Sequence, residues 1–74
     1  MFSEIEIRNK TINRYKSYRK KNFALGQEKA LNDARNWAEG FFVKPNIIES
    51  PNYAKRNQNI IDRTINELQL DDPY

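Results

Sequence analysis

Residues 50–70 read SPNYAKRNQNIIDRTINELQL. Within them Tyr53, Ala54, Asn57, Ile60, Ile61, Thr64, Ile65 and Leu68 recur at intervals of three and four. At about 100° per residue they fall in one arc of about 140°, with Lys55, Asn59, Asp62 and Asn66 opposite. Ser50 is a natural N-cap, because its hydroxyl can accept from a first-turn N–H. Pro51 follows at the first helical position, where the N–H it lacks would have had no partner. The pattern predicts an amphipathic helix over 51–69, ending near Gln69 or Leu70. Asp71-Asp72-Pro73-Tyr74 is then an acidic C-terminal tail, whose charges oppose the helix dipole and reinforce the stop.

A helix with one apolar face needs other elements to cover it. Upstream, Ala30, Leu31, Ala34, Trp37, Ala38 and Phe41 repeat with helical spacing, and Phe23 and Gln27 share their face. They predict a second helix that starts near Phe23 or Gln27 and closes by about residue 42. Gly26 either weakens its first turn or marks the turn before it. Gly40 suits a C-cap, and Pro45 stops any continuation. Residues 44–50 form the connection, with Ile47 and Ile48 expected against the core. Further back, Ser3 and Glu6 have the capping-box spacing and Phe2 is placed to staple onto Ile7. They open a helix over 3–21 whose apolar arc, Ile5, Ile7, Thr11, Ile12, Tyr15 and Tyr18, is broad and includes Arg8 and Arg19. Glu6 and Lys10 have the spacing of a favourable pair. The fold class is therefore all-α: a compact bundle of three short helices, or four if one is broken. Residues 1–70 form one small domain.

Composition narrows the function. The chain has 74 residues, no Cys and no His, which excludes disulfides, thiolate chemistry and His-based catalysis or zinc ligation. There are two glycines and no phosphate-binding loop, and no carboxylates cluster at a metal-binding or hydrolytic spacing. We expect no enzyme, no cofactor and no metal. No run of apolar residues is long enough to span a bilayer, and Met1–Glu4 do not begin a secretory signal, so a cytoplasmic protein without a membrane partner is expected. The apolar share of 38% is low for a self-sufficient domain of this size, so a partner or a homodimer is expected to contribute.

Two surfaces then compete. Phe42, Val43, Ile47 and Ile48 form an apolar strip around Pro45 that a small core would not cover, with Phe42 at the edge of the helical face. Together with Tyr18 they are the candidate contacts of a protein-binding module: an adaptor, inhibitor or regulatory accessory protein. The Asn/Lys/Ile bias would suit an accessory protein of a phage or mobile element. The alternative is nucleic acid. Residues 1–29 carry eight Lys and Arg against three Glu, a net +5, and residues 30–74 carry −2. Lys10, Arg14 and Lys21 form a narrow stripe, flanked by Lys16 and Lys20, that could follow phosphates, and Tyr15 could stack on bases. A helix-turn-helix with residues 27–39 as reader is opposed by Glu28, Asp33 and Glu39 on that helix.

Overall fold

The computed structural model describes residues 1–73. Helix α1 spans Glu4–Lys21, α2 spans Gln27–Ala38 and α3 spans Pro51–Leu70, with no strand among the described residues. Short turns join them: a 3₁₀ turn at Phe23–Leu25, a π-helical turn at Glu39–Val43 and a second 3₁₀ turn at Lys44–Asn46. The all-α, three-helix bundle is as expected. Gly26 settles where α2 begins. Its φ of +87° and ψ of 172° lie where only glycine sits without strain, so the chain breaks there and α2 starts at Gln27.

Side chains between helices set the topology. Arg14 of α1 meets Asp33 of α2, and Tyr18 precedes the turn, so α1 and α2 form an antiparallel hairpin. Arg35 meets Asp62, Glu39 accepts from Gln58, and Gln27 donates to the carbonyls of Leu68 and Gln69, so α3 also runs antiparallel to α2. It therefore lies parallel to α1, along which Glu4 pairs with Arg63, Arg8 with Glu67, and Arg19 with Asp72.

The core joins one stripe of each helix: Ile7 and Tyr15 from α1, Ala30, Leu31, Ala34 and Ala38 from α2, and Ala54, Ile60, Ile61, Ile65 and Leu68 from α3. The buried stripe of α1 is narrower than the sequence suggests. It consists of Ile7, Thr11, Tyr15 and Arg19, four apart, while Ile5 stands 69% exposed. Ile12 and Tyr18 pack against the sides of this stripe, half-buried, and Ile5 falls outside it. The polar members are satisfied locally: the Thr11 and Thr64 hydroxyls donate to the carbonyls of Ile7 and Ile60, one turn earlier. No buried side-chain polar atom among the described residues lacks a partner.

The caps are half as expected. Ser3 and Glu6 form the full capping box, and Glu6 is thereby engaged with Ser3 rather than paired with Lys10. Ser50 precedes α3, but its side chain makes no capping bond. Its backbone N–H is already held by the Asn46 carbonyl at 2.9 Å.

The acidic tail is not separate from the bundle. Asp72 accepts from the Tyr15 hydroxyl at 2.8 Å and from Arg19 at 3.0 Å, so the chain beyond α3 folds back onto α1. The rest of the expected 71–74 tail includes Tyr74, which lies outside the described residues. Burial raises the Tyr15 phenol above its usual range, and its bond to the Asp72 carboxylate adds to the shift. The same carboxylate, by hydrogen bonding, raises Arg19 further.

Candidate functional site

The start of α1, the end of α2 and the start of α3 meet at one end of the bundle. The π-helical turn sets the surface there. An i→i+5 turn takes one more residue than an α turn, so each residue falls roughly 20° short of its α-helical bearing. Over four residues the lag approaches about 80°. Continued as an α-helix, residues 38–43 would put Phe41 inward and Phe42 at the edge. The lag reverses them: Phe42 is fully buried and Phe41 is 48% exposed.

Phe42 thus becomes the hub of an aromatic cluster. Its ring meets Phe2 at 4.9 Å, Phe41 at 4.9 Å and Trp37 at 6.0 Å, each edge to face. Phe41 stacks on Trp37 at 5.6 Å and 19° and also touches Phe2. Two side-chain amides hold the turn in place. Asn57, fully buried on α3, donates to the Phe42 carbonyl at 2.9 Å, and Asn46 donates to the same oxygen at 3.0 Å. At the rim the Phe2 backbone N–H donates to the Tyr53 hydroxyl, and Arg56 donates to the Phe2 carbonyl.

These positions correct part of the expected contact set. Phe42 and Val43 are core residues, not surface contacts, because the π turn carries them inward. Ile47 and Ile48 are on the surface, 53% and 91% exposed, rather than tucked against the core. Beside them a shallow groove of about 260 Å³ is lined by Ile47, the edge of Val43, Pro51, Ala54 and Lys55. Tyr18 does not belong to this group. It is half-buried in the last turns of α1, at the far end of the bundle. Phe41 is the exposed aromatic residue that sequence reasoning missed, since wheel geometry assumes an unbroken α-helix.

The basic residues also sort differently. Lys10, Lys16, Lys20 and Lys21 are exposed along α1. Arg14 is not available beside them: its guanidinium grips Asp33 through two bonds, of 2.9 and 3.2 Å, and lies 5.8 Å from the Trp37 ring. Hydrogen bonding to Asp33 raises its pKa. Tyr15 is fully buried and offers no face to a base.

A larger open groove of about 450 Å³ lies between α1 and the end of α3, lined by Arg8, Ile12, Lys16, Glu67, Leu68 and Leu70 among others. Nothing in the sequence marked it, because it depends on the parallel pairing of α1 and α3. Among the described residues no group of three acidic, His or Cys side chains could hold a metal ion, and no helix is long and apolar enough to cross a membrane. Comparison of the chain with family models, curated proteins and solved structures returned no match.

Proposed function

We propose that this chain is a small, non-enzymatic, cytoplasmic protein-binding module that docks on a partner through the end of the bundle carrying Phe41, Ile47 and Ile48. The observation that carries the reading is the outward Phe41. The π-helical turn that closes α2 carries this ring outward while it seats Phe42 in the core. An aromatic ring held by its neighbours and still 48% exposed has the makings of a binding anchor, and Ile47 and Ile48 add exposed apolar surface after the same turn. The ring brings area at low entropic cost, because stacking on Trp37 already restricts it. The adjoining groove gives an incoming apolar side chain somewhere to go.

A photo-crosslinking residue placed at Ile48, with a second at Asn66 on the exposed side of α3, tests this in cells of the native host. A discrete adduct from position 48 and none from 66 is expected. Substitution Phe41→Ala should then weaken the interaction by about 30-fold or more, as removal of an anchor does. An adduct of twice the chain mass would identify the partner as a second copy. Equal labelling from both positions, or none from 48, would refute the docking end.

A further inference from the structure

The cations of this chain divide by residue type. Five of the six arginines pair with carboxylates between elements, and the sixth, Arg56, donates to the Phe2 carbonyl. None of the seven lysines pairs with a described carboxylate. The arginines thus bridge one element to another, and the lysines carry the charge offered to solvent. Their distribution is uneven. Residues 7–27 contain no acidic residue, and the outward face of α1 in that stretch presents Lys10, Lys16, Lys20 and Lys21, interleaved with Asn9, Asn13 and Ser17. The three arginines of the same stretch, Arg8, Arg14 and Arg19, are neutralised by Glu67, Asp33 and Asp72.

We infer that the outward face of α1 is a second interaction surface, one that lies along the phosphate backbone of a nucleic-acid duplex without reading its sequence. At a rise of about 1.5 Å per residue, Lys10 and Lys21 are about 16 Å apart along the axis. That span faces about five phosphates of one strand at ~3.4 Å each. Four ammonium groups over this length match a regular polyanion. Lysine is a point charge on a flexible stem, suited to phosphate and poor at the bidentate contacts that discriminate bases. The groups that could add specificity point elsewhere, with Tyr15 buried and Arg14 held by Asp33. An anionic membrane fits the same face less well. Amphipathic helices bind bilayers by burying an apolar side, and the apolar side of α1 is occupied by α2 and α3. The surface lies along the bundle, not at the Phe41 end, and does not depend on the docking proposed there.

The test is fluorescence anisotropy of a labelled 20-base-pair duplex of mixed sequence, titrated with the full chain from 50 to 200 mM salt. Four phosphate contacts give a log–log slope of about −3.6, a loss of about 150-fold across that range. Two double variants remove the same charge from different places: Lys16→Gln with Lys20→Gln on this face, and Lys44→Gln with Lys55→Gln away from it. The first should reduce the slope by about 2 and weaken binding about tenfold or more, and the second should change affinity by no more than about threefold. Circular dichroism verifies that both variants fold. Equal weakening by the two pairs would overturn the assignment, since it would mean attraction by net charge alone. So would a slope shallower than about −1, or no binding at 50 mM salt. Binding to phosphatidylserine vesicles without binding to the duplex would overturn it in favour of a membrane surface.

Discussion

Replacing Asn57 by alanine tests the feature on which the proposed docking end depends. Asn57 is fully buried, and its amide joins α3 to the π-helical turn through the Phe42 carbonyl. The substitution removes one buried hydrogen bond, a net loss of about 1 kcal/mol. It also leaves a small void against well-packed neighbours, roughly another 1 kcal/mol. It leaves no partner stranded, because the Phe42 carbonyl keeps Asn46 and Arg56 keeps the Phe2 carbonyl. The expected cost is therefore about 2 kcal/mol, and for a domain of this size the melting temperature should fall by about 8–16 °C. Asn46→Ala alone should cost about 1 kcal/mol, since Asn57 remains. The double variant strips both amides from one buried oxygen, so its loss should exceed the sum of the two by about 1 kcal/mol. Thermal melts followed by circular dichroism give the energies. The single tryptophan, Trp37, stacks on Phe41 and reports the state of the turn through its emission. A shift under about 2 °C for Asn57→Ala, or strict additivity in the double variant, would show that these amides do not hold the turn.

The two glycines should respond in opposite directions. Gly26→Ala forces a side chain into a positive-φ conformation and should cost about 1–3 kcal/mol. Gly40→Ala, in helical backbone with open space around it, should raise the melting temperature by a few degrees through its gain of about 0.5–1 kcal/mol. The Tyr15 hydroxyl provides a pH signature. Its raised pKa means that the folded state holds the phenolic proton more tightly than the unfolded chain does. Stability from this bond is thus complete below the unfolded value of about 10 and declines as pH rises through the folded value. Tyr15→Phe should lower stability at neutral pH by about 1.5 kcal/mol and flatten that alkaline decline, as read from denaturant melts between pH 8 and 11. An unchanged alkaline slope would mean that the Tyr15 phenol is not buried in the folded chain.

The parts of the fold that were legible in the sequence are those governed by unbroken periodicity. Ile60, Ile61, Ile65 and Leu68 mark the buried face of α3 without ambiguity, and the Ser3–Glu6 box fixes the start of α1. Legibility ended where periodicity changed. From Glu39 to Val43 the helix adopts a different pitch, and no residue in that stretch announces it. The exposure of Phe41 and the burial of Phe42 were therefore read in reverse. Arg19 and Asp72 escaped for another reason. They are 53 residues apart, and a charged pair buried between a first helix and a last segment leaves no local trace. Arg14 could be placed on the basic stripe from the wheel, but not removed from it, because Asp33 belongs to another helix.

The ion pairs between α1 and α3 act as a parity check on assembly. Along α1 the signs run Glu4 then Arg8, one turn apart, and along α3 they run Arg63 then Glu67. Sliding α3 by one turn in one direction would set Arg8 against Arg63. Sliding it the other way would set Glu4 against Glu67. An apolar seam of repeated isoleucines tolerates such a slip, because one isoleucine packs much like the next. A two-letter code of charge read in opposite order on the two helices does not, since either displacement brings like signs together. Each exposed pair contributes little to stability. What the four residues specify is alignment: they fix the register of α1 against α3, and so bring Phe2 to the rings it must meet.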